Sequence, residues 1–287
     1  MSTDSSDPFF DWYHSPLSFE DWLAGGSLTV LCLIFIPLTA LVAYIMYKAD
    51  KEIIGYRYLV SSAFADILCM VQYGGFNGIA ILAKNPLADK MNGRSAMQFY
   101  IDWVWFAMCL HYPLVAWSRF AAIKTPIWFC RQERWHSYVI CLLPYLLALI
   151  LVCSTHWSSF YVRFYFEPAV YGMLADDFVK WTIGLIVRDR NASGVQGVSK
   201  GQMSVEKRLM YPCILGNLIF VLGQVAITIG TGTGKWATWT ICVLFFINSA
   251  ANCLLLLLFS PNLRASVLQG GKSVKIFERT TVSVIRI

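Results

Sequence analysis

The stretch SRFAAIKTPIWF, residues 118–129, lies where a long apolar run of the chain ends. It follows residues 95–117, places Arg119 at the end of that run, and continues to Pro126. An arginine at such a position is typical of a helix that leaves a bilayer, because its aliphatic stem can lie in lipid while its guanidinium reaches water. The stretch therefore predicts a chain that crosses a membrane.

The composition supports this interpretation. Hydrophobic residues make up 57% of the 287 residues and charged residues 14%, whereas soluble domains average about 25% charged residues. One crossing needs roughly 20 mostly apolar residues. The candidate spans are residues 24–47, 58–82, 95–117, 137–157, 170–187, 209–230 and 236–259. The fifth of these, VYGMLADDFVKWTIGLIV, is the weakest, because it carries Asp176, Asp177 and Lys180.

The distribution of basic residues favours seven spans. Cytoplasmic loops are enriched in Lys and Arg. With the N-terminus outside and seven spans, 17 Lys and Arg lie inside and 6 outside, whereas without the fifth span the numbers become 8 and 15. We therefore predict an all-α polytopic membrane protein, a seven-transmembrane helix bundle with a short, atypical fifth helix. Residues 1–22 would form an extracellular tail, 23–264 the seven-transmembrane domain and 265–287 a cytoplasmic tail.

The opening stretch resembles the end of the third helix in rhodopsin-like G protein-coupled receptors, where Asp-Arg-Tyr is followed by x-Ala-Ile-x-x-Pro. In SRFAAIKTP the arginine, the Ala-Ile pair and the proline are in register, while Ser118 replaces the acid and Phe120 the tyrosine. The resemblance implies that Arg119 and Pro126 serve G protein coupling, with Glu206 as the substitute acid that holds Arg119 in the resting state. Without the resemblance, Arg119 alone could be a simple interfacial anchor.

Two further motifs match the same family. Asp66 in SSAFADILC falls where the second helix carries its sodium-linked switch acid, and NSAANCLLLLLFSPNLR is in register with Asn-Ser-x-x-Asn-Pro-x-x-Tyr of the seventh. Asn248, Ser249 and Asn252 would then form an activation switch with Asp66. Asn248 and Asn252 are four residues apart and share a helix face, and polar groups inside lipid need partners. We expect both amides to face Asp66, although a plain helix–helix contact is the alternative for this carboxyl group.

Several departures narrow the resemblance. The first span lacks the Gly-Asn pair, the sixth lacks Cys-Trp-x-Pro, and no cysteine opens the third span. The usual disulfide to the second outer loop is therefore not expected. This combination is similar to the nematode chemoreceptor-type serpentine receptors, the group that contains classes V, X and G.

Candidate ligand contacts lie in the upper half of the third span, in QFYIDWVWF. Asp102, Trp105 and Phe106 occupy the part of this helix that lines the ligand cavity in the family, and Cys242 and Phe246 are added from the inward face of the seventh helix. The alternatives for Asp102 are an acid reaching up to the interface or a partner of Arg94 or Lys180.

The predicted function is that of a chemosensory receptor in the plasma membrane or its sensory cilium. Its partners would be an extracellular small molecule or peptide, a heterotrimeric G protein and membrane lipid. Neither a cofactor nor a metal site is expected, and the net charge of +6 is read as a topology signal rather than a sign of nucleic-acid binding. Scattered histidines argue against an enzyme. The alternative function is a transporter or channel that uses Asp66 and Asp102 within the membrane.

The charge count yields a test of topology. Asn191-Ala192-Ser193 is a glycosylation sequon, and the seven-span arrangement places it in the cytoplasm. We expect glycosidase treatment to leave the electrophoretic mobility of the wild type and of Asn191→Gln identical. A shift that disappears in Asn191→Gln would place the loop outside and contradict seven spans.

Overall fold

The fold comes from a computed structural model that describes residues 9–51, 53–85, 92–156, 164–175 and 234–268, together with Leu215 and Leu218. Its helices are α1 (Phe10–His14), α2 (Phe19–Lys48), α3 (Gly55–Met70), α4 (Asn77–Ala83), α5 (Asn92–Lys124), α6 (Pro126–Cys130), α7 (Arg134–His156), α8 (Lys235–Phe259) and α9 (Pro261–Leu268). A π-helical segment, Val71–Phe76, joins α3 to α4. Two strands, β1 (Phe164–Glu167) and β2 (Gly172–Ala175), form an antiparallel hairpin.

Four described helical segments are long and apolar enough to cross a bilayer: α2, the continuous run Gly55–Ala83, α7 and α8. Only 22% of the most apolar part of α2 and of α7 is buried inside the protein. Side chains such as Leu33, which is 69% exposed, and Ile150, at 63%, therefore point away from the core. Outward apolar faces of this extent are typical of helices surrounded by lipid.

The long helix α5 lies inside the arrangement. It has 33 residues and packs against α3 on one side and α7 on the other, while α3 also packs against α2 and α8. Described helices contain the predicted spans 24–47, 58–82, 95–117 and 236–259, and residues 137–156 of the fourth, so their helical structure is confirmed. We call the two ends of the bundle the hairpin end and the Arg119 end.

The predicted fifth span, residues 170–187, is wrong at its start. Val170 ends the 3-10 turn Pro168–Val170, and the next residues form β2, with Gly172 opposite Glu167 and Ala175 opposite Phe164. The apolar character of this stretch reflects burial beneath the hairpin end, where Tyr171 and Ala169 are almost completely enclosed. Residues 176–187 lie outside the described residues, and so does 209–230 apart from Leu215 and Leu218, which are helical.

The start of α2 is fixed by local hydrogen bonds. Ser18 Oγ accepts from the Asp21 amide at 3.1 Å, and Asp21 Oδ2 accepts from the Ser18 amide at 2.9 Å. This reciprocal pair is a capping box, which satisfies donors that the first helical turn leaves unpaired. The helix thus begins at Phe19, inside the segment that the sequence assigns to the tail.

Close contact between α2 and α4 depends on Gly25 of α2 and Gly78 of α4. A Cβ at Gly25 would lie 2.9 Å from the Gly78 carbonyl oxygen and 2.9 Å from Leu82 Cγ. Small residues of this kind let helix backbones approach closely within a membrane. The neighbouring Gly26 faces open space, with no atom within 4 Å of an added Cβ.

These neighbouring glycines give a matched pair of substitutions. Gly25→Ala should destabilise the protein by about 1–3 kcal/mol, because the added methyl group overpacks a backbone contact. Gly26→Ala should leave stability unchanged or raise it by up to about 1 kcal/mol through higher helix propensity. Thermal unfolding of the detergent-solubilised variants checks this, and equal melting temperatures for the two would contradict the proposed helix contact.

Candidate functional site

A buried polar bridge joins the second and last predicted spans. Asp66 on α3 is only 1% exposed, and its Oδ2 accepts a hydrogen bond from Asn252 Nδ2 on α8 at 3.0 Å. The prediction that these two side chains meet inside the bundle is confirmed. Asn248 behaves differently, because its Nδ2 donates to the Tyr112 hydroxyl on α5 at 3.3 Å. The expectation that both amides bond to Asp66 is therefore wrong for Asn248, which lies one turn away and reaches the neighbouring helix.

The same face of α8 makes a further contact with α5. Ser249 Oγ donates to the Phe245 carbonyl oxygen at 3.3 Å and lies 3.5 Å from Met108 Sδ. Asp66, Asn248, Ser249 and Asn252 thus connect α3, α5 and α8 through side-chain contacts. We call these four residues the polar switch.

Space remains beside the polar switch. Asp66 lines a cavity of about 40 Å³ together with Thr39, Tyr112, Asn252 and Cys253. Within the described part of the chain, Asp66 Oδ1 and Thr39 Oγ1 are buried and have no hydrogen-bond partner. Because a single water needs roughly 10–15 Å³ of such space, the cavity can hold more than one.

Arg119 is buried rather than hydrated. It is 5% exposed, and its guanidinium lies against the start of α3, where a Cβ at Gly55 would overlap Nη1. Among the described residues, its Nε and Nη2 atoms have no hydrogen-bond partner. The expectation of an arginine that stays in water at the interface is therefore wrong, because the first turn of α3 covers it. Ser118, which takes the place of the family's acid, donates instead to the Val115 carbonyl oxygen at 2.7 Å.

The segment after Arg119 is held by α3. Pro126 is the first residue of α6, a position where its missing amide hydrogen has no cost. Phe129 stacks on Tyr58 with ring centroids 6.1 Å apart, and the Tyr58 hydroxyl donates to Gln132 Oε1 at 2.8 Å. Arg57 Nη1 adds a bond to the Gln132 carbonyl oxygen at 3.1 Å.

A buried aspartate that the sequence analysis missed supports this region. Asp50 has 0% exposure and accepts from Arg134 Nε at 2.8 Å, Arg134 Nη2 at 2.7 Å and the Tyr138 hydroxyl at 3.0 Å. Arg57 Nε lies 3.8 Å from the same carboxylate. This two-pronged arginine contact is geometrically specific. Since Arg57 also holds Gln132, the Asp50 cluster positions α6. An isolated acid among loop cations gives no periodic signal in the sequence.

The candidate ligand residues lie nearer the hairpin end. Cys242 and Phe246 on α8 are completely buried, and Phe246 packs edge-on to Phe35 at 6.0 Å. Trp105 on α5 packs edge-on to Phe245 at 4.7 Å, and this brings α5 and α8 into one aromatic cluster. Asp102 and Phe106 are half-buried on α5. Of the predicted ligand residues, Trp105 and Phe246 thus belong to the same aromatic cluster, in which Phe245 contacts Trp105.

The β-hairpin closes the bundle above these residues. Tyr171 at its tip is fully buried and donates to Asp21 Oδ1 at 2.5 Å, while Tyr13 of α1 donates to Glu167. The side chain of Thr238 on α8 donates to the Val170 carbonyl oxygen. Burial raises the pKa of the Tyr171 phenol above its usual value, and the Asp21 carboxylate adds to this, so the phenol remains a donor. We call residues 164–175 the hairpin plug.

Lys84 fastens the N-terminal segment over the hairpin plug. It has φ of 46°, a left-handed conformation that ends α4. Its Nζ donates to the Trp12 carbonyl oxygen at 3.0 Å, Ser15 Oγ at 2.8 Å and the Pro16 carbonyl oxygen at 3.0 Å. The same atom lies 3.3 Å from Asp21 Oδ2. Within the described residues, the gap between α2, α4 and α8 is thus covered at this end.

With this geometry, the class of fold is clear: the chain has the fold of rhodopsin, an all-α bundle of membrane-spanning helices. Its structure is similar to the crystal structure of squid rhodopsin, with a TM-score of 0.63 and 12% sequence identity, over 90% of this chain and 83% of the squid protein. Neither a protein-family model nor a curated protein matches the sequence. At this identity the likeness confirms the predicted fold class, an all-α polytopic bundle.

The hairpin plug provides a prediction about local stability. Tyr171→Phe removes a hydrogen bond to a charged acceptor, which is worth about 1.5–3 kcal/mol. We expect amide hydrogen exchange in residues 164–175 to become faster by roughly tenfold or more. Tyr44→Phe is the matched control, because Tyr44 is 50% exposed on the outer face of α2. Unchanged exchange in the Tyr171 variant would show that the Tyr171–Asp21 bond does not hold the hairpin plug.

Proposed function

We propose that the chain is a chemosensory G protein-coupled receptor, which transmits the binding of an extracellular small molecule or peptide to a cytoplasmic heterotrimeric G protein. The observation that carries the proposal is the Asn252–Asp66 hydrogen bond inside the bundle, at 3.0 Å. Both residues stand in register with motifs of that receptor family. An ionisable side chain within a membrane is costly, and such residues usually serve function.

The polar switch provides a route for conformational change. Asn248 and Ser249 contact α5, whereas Asn252 contacts α3. A movement of α8 relative to α5 therefore has to alter the bond between Asn248 and Tyr112. The cavity beside Asp66 gives its free carboxylate oxygen room to take a new partner, so the switch can change pairing without a large backbone shift.

We assign coupling to the Arg119 end, which the excess of Lys and Arg in the predicted loops favours as the cytoplasmic side. Arg119 would leave its site against Gly55 and contact the G protein, beside Pro126 at the start of α6. Glu206 is the proposed resting-state partner and lies outside the described residues. Because Ser118 replaces the neighbouring acid and, among the described residues, the Arg119 Nε and Nη2 atoms have no hydrogen-bond partner, the resting state should be weakly held and basal signalling measurable.

Ligand recognition is assigned to the aromatic cluster below the hairpin plug. Trp105 and Phe246 would supply apolar surface, with Phe106 and Cys242 beside them and Asp102 as the polar group. Because Cys242 Sγ lies 3.9 Å from the Tyr171 carbonyl oxygen, a ligand that reaches Cys242 has to displace the tip of the hairpin plug. We therefore propose that ligand entry and movement of the hairpin plug are coupled.

The transporter alternative would use Asp66 and Asp102 as acids of an ion pathway. The residues that line the cavity beside Asp66 come from α2, α3, α5 and α8 and do not include Asp102. The described cavity thus gives no polar connection between the two acids. We further propose that the protein is a nematode chemoreceptor-type receptor of the plasma membrane, on the basis of its sequence motifs. The distribution of Lys and Arg is the basis for proposing that its hairpin end lies outside the cell.

The central test is agonist-independent G protein activation in cells. We expect Arg119→Ala to lose most of the basal signal at matched surface level, because the proposed contact with the G protein is removed. Arg264→Ala is the matched control, since Arg264 is an exposed arginine of the same end, and it should retain the signal. Normal signalling by Arg119→Ala would remove the main support for the receptor proposal.

A further inference from the structure

An exposed group of large apolar side chains surrounds α6 at the Arg119 end. Ile127 is 70% exposed, Trp128 53% and Trp135 58%, and they are joined by Trp117 and Phe120 at 39% and 43%. The Trp117 and Trp128 rings meet at 6.3 Å in an edge-to-face arrangement. We call these five residues the aromatic patch. Contiguous groups of large apolar side chains seldom face water. We therefore expect another molecule to cover the aromatic patch.

The aromatic patch continues the lipid-facing surface of α7. Trp135, Val139, Leu142, Leu146 and Ile150 are all at least half exposed. Their spacing of 4, 3, 4 and 4 residues places them on one helix face. Since α7 is one of the helices apolar enough to cross a bilayer, this face lies against lipid. Trp135 is its first member, in the opening turn of α7, where the apolar layer ends.

The last turns of α5 lead to the same place. Pro113, Ala116, Trp117, Phe120 and Lys124 are exposed, and their spacing again defines one face. This face passes from apolar side chains to a lysine just before α6 begins. Tryptophan at such a boundary is typical of the layer between hydrocarbon and water, where its amphipathic ring is most stable.

Two cations flank the aromatic patch. Lys124 and Arg131 are exposed on either side of α6. Arg134 is engaged with the buried Asp50. The nearby acid, Glu133, accepts a bond from the Trp135 indole at 2.5 Å and lies 3.9 Å from His136. Exposed cations beside interfacial aromatics match the chemistry of anionic phospholipid headgroups.

We propose that the aromatic patch is a membrane-interface anchor, with α6 lying in the headgroup layer. Ile127 and Trp128 insert between lipids, and Lys124 and Arg131 contact anionic headgroups. Lipid is the occupant because the aromatic patch is continuous with the lipid-facing surface of α7 and with the exposed face at the end of α5, and its flanking charges are positive. This assignment does not depend on signalling, and it would fix the depth of α6 whether or not a G protein is bound.

The test measures the depth of α6 in lipid nanodiscs that hold one protein each. Ile127→Cys, in a Cys130→Ser background, is labelled with an environment-sensitive fluorophore, and the background without Ile127→Cys gives the baseline. Glu133→Cys is the matched control from the same loop. We expect doxyl-labelled phospholipids to quench most of the fluorescence at position 127 and to quench position 133 weakly, together with a blue-shifted emission at position 127 only.

A second arm tests the headgroup contacts. In nanodiscs that contain phosphatidylserine, replacing Lys124 or Arg131 with Ala should shift the equilibrium between inserted and water-exposed label by about fivefold per cation. In pure phosphatidylcholine the same replacements should have little effect. Loss of this lipid dependence would overturn the role of the two cations.

Two outcomes would overturn the anchor itself. If quenching at position 127 equals that at position 133, the aromatic patch faces water. If quenching at position 127 is absent with one copy per nanodisc, and the emission shifts to blue only with two copies or with added G protein, a protein is the occupant. In both cases the proposed receptor function would stand unaffected, because its own assay compares Arg119→Ala with Arg264→Ala.

Discussion

A carboxyl group inside a bilayer must find its partners within the protein, and much of this bundle is arranged around that requirement. Asp66 is enclosed by four helices, and Asn252 is the donor that the described residues provide. The contact ties α3 to α8 through two residues that are 186 positions apart in sequence. Asn248 and Ser249 of the polar switch contact α5. The buried Asp66 and its neighbours therefore fix the relative positions of three helices.

Each end of the bundle repeats this solution with a different aspartate. At the hairpin end, Asp21 accepts a hydrogen bond from the Tyr171 hydroxyl and forms an ion pair with the Lys84 ammonium group. At the Arg119 end, the Asp50 carboxylate accepts hydrogen bonds from Arg134 and Tyr138. In both places a nearly inaccessible carboxylate joins a cation and a phenol from distant parts of the chain. The third span opens without a cysteine, and the hairpin plug is held by these non-covalent contacts, which can open and close without redox chemistry.

The sequence predicted the helices of five spans and the Asp66–Asn252 contact because both follow from strong local signals. Long apolar runs have few other uses than membrane crossing, and a lone carboxyl group within one has few possible partners. Burial of Arg119 could not be predicted, since it depends on Gly55, a residue from another helix with no side chain to suggest its role. The hairpin plug was mistaken for the start of a span because its apolar residues are buried by protein rather than by lipid. The contacts of Asp21 and Asp50 could not be predicted because their partners lie far away in sequence.

The π-helical segment Val71–Phe76 divides the second span into two helices with separate registers. A π turn holds about one residue more than an α turn, which corresponds to a rotation of roughly 100°. The extra residue sets which residues beyond it face their neighbours, among them Gly78 against α2 and Asn77 near Cys242. A deletion of one residue here would therefore leave Asp66 in place yet turn the outer half of the span away from its neighbours. Related chains that differ by one residue in this segment would thus share an inner core while presenting different surfaces at the hairpin end.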